Sequence, residues 1–351
     1  MKIYFWQNYL SIHQYPLLTE LKAMGHEVVQ IVEKGMPEER REMGWNIPDC
    51  GYPVFMIDSC ELENIISAFD VIHVFSGLNA FPKLSRVFSK AYRMFPRCCY
   101  IYQELPDFNG IRGGVRKLKY QLNFIRYRNI GGLFAAGSTN IFRTIAQFPI
   151  IPFSYYVYPP KILSHCRLDL NVANDCFTFV FVGSLIQRKN IAAMCSALRD
   201  IPQKWKLIVV GDGPERFELE KLQVSRRDCS VEILGFLENE NIGEILWRSD
   251  CLILLSRHDG YGVVVNEALL AGMNVIVSSS VGSAETVSII GENECVVNAK
   301  DRQDVIRGLS LVLTRGRLSD YDRAARVKKA SFLLPQYGAK LMSDFFAKKC
   351  C

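Results

Sequence analysis

The residues best placed for chemistry lie in one segment, His258-Asp259-Gly260-Tyr261-Gly262-Val263-Val264-Val265-Asn266-Glu267-Ala268. An apolar run at 251–255 precedes it and reads as a buried strand; a helical run at 263–271 follows. Asp259 falls in the loop and Glu267 on the first turns of the helix, with seven residues between them. A carboxylate on the helix can accept hydrogen bonds from the vicinal hydroxyls of a ribose. One in the loop can bind sugar hydroxyls. The Gly260-Tyr261-Gly262 turn brings bare backbone N–H groups toward a ligand, and the helix N-terminus adds partial positive charge for an anion. The bland alternative is a helix cap at Asp259 and a solvated Glu267. Glycines at the end of a buried strand favour the ligand reading.

Three further segments stand at strand ends. In residues 182–190, Val-Gly-Ser-Leu-Ile-Gln-Arg-Lys-Asn, a strand ends at Gly183. A tight turn through Ser184 follows, and Arg188 and Lys189 open a helix, where cations can meet a phosphate; taken alone the segment reads more readily as a plain strand-to-helix turn with two solvated cations. Residues 209–216, Val-Val-Gly-Asp-Gly-Pro-Glu-Arg, read as a strand, a structural turn and a helix that begins near Glu215. Residues 233–250 read as a strand, a loop after Gly235 and an amphipathic helix.

The elements that must position these residues alternate throughout. Strands are predicted at 2–7, 27–34, 71–76, 98–103 and 132–136, then at 178–182, 206–210, 231–234, 251–255, 274–278 and 295–297. Helical patterns lie between them, such as 14–24, which Gly25 stops. This predicts an α/β fold of two Rossmann-like, doubly wound domains facing across a cleft. The expected domains are 1–158, 159–333 and a last segment, 334–351, that returns as a helix to the first. Tyr158-Pro159-Pro160 marks the linker entrance. Helical patterns at 301–315 and 317–333 close the second domain before Pro335.

Composition bounds the function. The chain has 351 residues, 49% hydrophobic and 22% charged, enough apolar matter for two cores. It has no apolar run long enough to span a membrane and no signal-like N-terminus. Its twelve cysteines are scattered, and the adjacent pairs Cys98-Cys99 and Cys350-Cys351 lack metal-ligand spacing; they read as reduced cytosolic thiols. A net charge of +6 suits a diphosphate ligand or an anionic membrane surface. No nucleic-acid motif accompanies it. Residues 112–128 interleave cations with Val115, Leu118, Tyr120, Leu122, Phe124, Ile125 and Tyr127, a pattern that suits equally a helix lying on an anionic bilayer and a core-packed helix with a solvated basic face. His73 on its strand reads as a packed core histidine.

Taken together, these segments resemble the retaining family-four glycosyltransferases of the GT-B fold, of the bacterial surface-polysaccharide type, most specifically from about Val180 to Thr286. The family's Glu-seven-residues-Glu signature becomes Asp259 to Glu267 here, with Asp259 a departure at the first acid. The resemblance implies a donor site of Gly183, Ser184, Arg188, Lys189, Asp259, Gly260, Tyr261, Gly262, Val263 and Glu267. Within it Glu267 would hold the ribose, Asp259 the sugar, and Lys189 the diphosphate. Ser184 stands where the family has an arginine, and Arg188 supplies a cation near Lys189. Asp259, Lys189 and Arg188 would carry the catalysis. His13, Gln103 and Glu104 are expected on the acceptor or donor-sugar side; Gln103-Glu104 stands where many members have a histidine.

The implied activity is metal-independent, retaining transfer of a hexosyl or N-acetylhexosaminyl group. The donor would be a UDP- or GDP-linked sugar, with no other cofactor, and the acceptor a saccharide or lipid-linked saccharide. The expected location is cytoplasmic, peripheral at the inner face of the membrane. A sugar-nucleotide epimerase of similar fold and a non-catalytic glycosyltransferase-like partner are the competing readings.

Overall fold

The computed structural model describes residues 1–350 apart from 47–48, 60–61, 68–69, 78–80, 138, 161–175 and 293–294. The stretch just after the predicted linker entrance at Tyr158-Pro159-Pro160 therefore lies outside the described residues. The chain divides into two compact units. The first comprises Met1–Arg41, Ile47–Tyr156 and Pro335–Cys351, the second Glu42–Asn46 and Val157–Leu334.

The first unit holds a seven-stranded sheet. Its strands are β1 (Lys2–Tyr9), β2 (Glu27–Lys34), β3 (Val54–Met56), β4 (Val71–Ser76), β5 (Cys99–Glu104), β6 (Gly132–Ala136) and β7 (Ile150–Phe153). They lie in the order β3-β2-β1-β4-β5-β6-β7, and every pair is parallel. The sequence reading lacks β3 and β7. Both are short edge strands, and β7 carries Pro152, whose missing N–H is tolerated at an edge.

The core of this unit is aromatic. Trp6 stacks on Phe75 at 5.5 Å, and Phe88, Phe124 and Phe142 are buried around them. His73 is part of that core: Trp6 Nε1 donates to His73 Nδ1 at 3.1 Å, and burial pushes the imidazole down to about 4, so it stays neutral. The helix Pro335–Cys350 belongs to this unit; Phe346 meets Tyr100 at 4.7 Å and Phe134 at 5.7 Å.

The second unit holds a six-stranded parallel sheet of β8 (Phe177–Val182), β9 (Trp205–Val210), β10 (Ser230–Gly235), β11 (Cys251–Leu254), β12 (Asn274–Ser278) and β13 (Val296–Val297), ordered β10-β9-β8-β11-β12-β13. β9, β11 and β12 are buried along their whole length, as expected of strands covered on both faces. The helical pattern at 317–333 resolves into a shorter helix, Asp320–Lys329, and a turn, Ser331–Leu333. No disulfide joins the described cysteines, and among the described residues no helix is long and apolar enough to cross a membrane.

Each sheet has its first strand between its second and a later one: β1 between β2 and β4, β8 between β9 and β11. Strand order reverses at that place, and a crevice opens at the carboxyl ends of the two diverging strands. Both crevices hold the residues that follow.

Candidate functional site

In the second unit the crevice is built from the ends of β8 and β11. After β8 the backbone passes through Gly183 and Leu185, which donate to Val210 and Asp212 of the neighbouring strand end at 2.9 Å each. The approach is close: a Cβ on Gly211 would lie 2.0 Å from the Gly183 carbonyl oxygen. Only glycine fits there, which gives the Gly211-Asp212-Gly213 turn its structural reason.

The chain then makes a short turn, Gln187–Lys189, before the helix Ile191–Arg199. Asn190 joins them in the left-handed region at φ +62°, a conformation asparagine tolerates better than most side chains. Its amide donates to the Leu255 carbonyl at 3.2 Å, and its carbonyl accepts from Arg257 Nε at 3.2 Å. Arg257 N–H also bonds the Arg188 carbonyl at 2.9 Å. These bonds tie the loop after β8 to the loop after β11. Asn190 was not among the expected site residues, although an asparagine between a strand end and a helix start is a turn signal.

Across this junction the charged residues meet. Lys189 Nζ lies 2.5 Å from Asp259 Oδ2, and Arg188 lies 3.3 Å from the same oxygen while donating to the His258 carbonyl at 3.0 Å. Burial pushes the Asp259 carboxyl up, but Lys189 and Arg188 together outweigh it and hold the group below its ordinary range. The Asp259 backbone is fixed as well: its N–H bonds Ser280 and its carbonyl accepts from Gly282, each at 3.2 Å. The loop after β12 thus supports the loop after β11, a contribution absent from the sequence reading.

The turn that follows splits its residues between two tasks. The Tyr261 side chain turns inward and is buried, its hydroxyl bonded to Asn266 at 2.9 Å and near Thr286 at 3.1 Å. Of the expected donor-site residues, Tyr261 therefore has its ring in the core and only its backbone at the turn. Gly262 adopts φ +82°, and a Cβ there would come within 2.9 Å of Leu254 and Val281. The helix Val264–Leu270 starts just beyond, and the N–H groups of Gly262, Val263 and Val264 have no acceptor among the described residues. Glu267 sits on that helix half-buried, and burial pushes its carboxyl up to about 7. Ser184 is placed differently from the cations: its hydroxyl faces Met43 sulfur at 4.0 Å. Met43 belongs to Glu42–Asn46, a segment from the first half of the chain that packs in the second unit.

The crevice of the first unit opens at the ends of β1, β4 and β5. It is a cavity of about 240 Å³ lined by Gln7, Asn8, Gln14, Gln103 and Glu104, with Tyr102, Tyr120 and Tyr155 among its rings. Tyr155 hydroxyl donates to Glu104 Oε1, and Gln103 Nε2 donates to the Glu104 carbonyl at 3.0 Å. Of the three residues expected on this side, Gln103 and Glu104 line the cavity. His13 does not; its ring lies edge-on to Tyr155 at 5.8 Å.

Tyr120 comes from the helix Gly110–Arg126, whose inward face also buries Gly113 and Phe124. Its opposite face is apolar and exposed: Ile111, Val115, Leu118, Leu122 and Ile125 are each more than half accessible. The sequence reading put Tyr120, Phe124 and Tyr127 on the same footing as these residues, but the structure buries all three in the core.

Two Rossmann-like units of this kind define the GT-B class of fold. The Anabaena protein HepE, solved in complex with UDP, shares it with a TM-score of 0.69. It is 16% identical over 100% of this chain and 99% of that one, a likeness of fold. Residues 167–331 match the family model of glycosyl transferases group 1. Over part of its length the chain is similar to alpha-monoglucosyldiacylglycerol synthase of Acholeplasma laidlawii, 26% identical over 36% of this chain and 33% of the relative. It is also similar to the lipopolysaccharide core biosynthesis glycosyltransferase LpsD of Rhizobium meliloti, 33% identical over 33% of each chain. The chain thus spans about a third of the length of these curated relatives.

Proposed function

We propose that the chain is a retaining glycosyltransferase. It moves a hexosyl or N-acetylhexosaminyl group from a UDP- or GDP-linked donor to a saccharide or lipid-linked saccharide, without a metal ion. The observation that carries this is the crevice of the second unit, where Lys189 and Arg188 converge on Asp259 beside the helix start that leaves the Gly262–Val264 N–H groups open. A nucleoside diphosphate leaves only if its growing negative charge is stabilised. Two cations and a helix N-terminus, already oriented, supply that stabilisation at no cost of reorganisation in the transition state. Glu267 accepts from the ribose hydroxyls, and Asp259 orients Lys189 and meets the sugar. Retention follows by front-face substitution, the departing phosphate taking the acceptor proton.

The acceptor end fits a membrane surface. The exposed stripe on Gly110–Arg126 recurs every three to four residues and is flanked by Arg112, Arg116, Lys119 and Arg126. That is the pattern of a helix lying in the headgroup layer of an anionic leaflet. The same helix lends Tyr120 to the cavity, which brings a lipid-borne sugar to the cavity wall. This supports a cytoplasmic protein held peripherally at the inner face.

The test is thermal stabilisation by uridine, guanosine and adenosine diphosphate sugars, followed by transfer in excess chelator with the product anomer read by NMR. One base is expected to stabilise the chain, by about 2.7 kcal/mol at a hundredfold excess over Kd. Transfer should proceed with retention in chelator. Stabilisation without turnover would favour a non-catalytic partner, and an epimerised donor would favour the epimerase. No response to any sugar nucleotide would sink the donor assignment.

A further inference from the structure

The cavity of the first unit has a distinctive charge pattern. Among its described lining residues there is no lysine, arginine or histidine, and the single carboxylate is Glu104. Its polar groups are held in place. Gln30 Nε2 donates to Gln7 Oε1 beneath the floor, Gln103 is tied to the Glu104 carbonyl, and Glu104 accepts from Tyr155. Burial first, then the charge of Glu104, raises the Tyr155 hydroxyl well above its ordinary range, so it remains a donor at any physiological pH.

Amide side chains both donate and accept, which matches hydroxyl groups that do the same. Tyr102, Tyr120 and Tyr155 line the same space and supply apolar wall for the C–H side of a sugar, the usual division of labour in a small-molecule pocket. The volume, about 240 Å³, leaves room for one sugar ring. A phosphate or carboxylate brought into this space would lose its hydration, meet no cation among the described lining residues and face Glu104.

We infer that this cavity binds an uncharged sugar ring, the terminal residue of the acceptor, and that Glu104, fixed by Tyr155, excludes phosphorylated and acidic sugars. The word acceptor rests on the transferase reading; the sugar binding does not. The selectivity places the reaction after any step that removes a phosphate from that terminal sugar.

The experiment is ligand-observed NMR on the full chain. The neutral probes are methyl glucoside, methyl galactoside and methyl N-acetylglucosaminide; the anionic ones are glucose 6-phosphate and glucuronic acid. At least one neutral glycoside should bind, and the anions at least tenfold more weakly. Glu104→Gln should narrow that gap, and Gln103→Lys, which places a cation at the wall, should raise affinity for glucose 6-phosphate tenfold or more. Thermal melting of each variant confirms that it is folded. Equal or tighter binding of the anions by the natural chain, or no binding of any neutral glycoside, would overturn the inference. Nucleotide-sugar stabilisation, read separately, distinguishes the two failures. Donor binding with an anion-preferring cavity sinks this inference alone. Neutral-sugar binding with no donor binding sinks the transferase reading and leaves the cavity a saccharide site.

Discussion

The two crevices occupy the same place in two sheets whose strand order matches but for one added edge strand, yet they are opposite in chemistry. At the β8/β11 switch point two cations, a carboxylate and open N–H groups crowd around glycine turns. At the β1/β4 switch point amides and rings surround one acid. Topology explains why a crevice exists in both places. It does not say what enters, because the chemistry resides in side chains carried by the loops. One crevice is suited to a ligand that gains negative charge, the other to one that carries none.

The largest expected effect tests the charged crevice. Lys189→Ala and Glu267→Ala should each lower transfer at least roughly tenfold, since a lost charge-assisted contact costs about 1.5 kcal/mol or more. Normal turnover in both, with the fold intact, would erase the contrast between the crevices.

A second effect concerns stability. The Glu267 carboxyl titrates near 4.5 in an unfolded chain and near 7 in the fold, so the folded state holds its proton more tightly. The stabilisation is complete below about pH 4.5 and is lost as pH rises through 7. Glu267→Gln removes that loss. It should make the ligand-free protein more stable than the natural chain at pH 8, by about 1 to 2 kcal/mol given partial exposure, and leave it little changed at pH 4.5. Denaturant melts at the two pH values check this, and an equal shift at both would show that Glu267 is not raised. The same variant should bind the donor more weakly, which would mark Glu267 as a residue kept for binding at the expense of stability.

The smallest effect on the fold belongs to the exposed stripe. Val115→Glu with Leu122→Glu should change stability by no more than about 0.5 kcal/mol, because neither side chain is packed. Flotation with anionic liposomes should nonetheless be lost. Retained flotation, or an absence of lipid preference in the natural chain, would remove the membrane face from the comparison.

Legibility in the sequence follows the same division. Glycines and charges announce a loop because few other residues fit its backbone or its ligand: Asp259 and Glu267 stand out by residue type and spacing, whereas Gly183 and Lys189, which alone read as a plain turn with solvated cations, are singled out by the family resemblance. The supporting contacts were silent. Asn190 joins two loops about 65 residues apart in sequence, and Ser280 and Gly282 hold Asp259 from another strand end, relations that no local pattern encodes. Tyr261 shows the converse: its place in the motif points to a backbone contact, and nothing in the local pattern tells that Asn266 and Thr286 draw its ring into the core. The central strands were legible from β-branched runs, and the edge strands β3 and β7 were not, because three or four residues with a proline leave little pattern to read. The cavity of the first unit was marked only by Gln103 and Glu104, since amides and tyrosines are ordinary surface residues until the fold brings them together.

The chain passes between the two units four times, at 41/42, 46/47, 156/157 and 334/335. Neither unit is a continuous stretch, and this bears on how the molecule is made. During synthesis the first sheet emerges early, but Tyr100 and Phe134 keep an uncovered face until the helix Pro335–Cys350 has been produced and Phe346 can close over them. The ribosome must therefore deliver the whole second unit before the first can be finished, and a nascent chain halted in between would present bare aromatic rings to the chaperones around it.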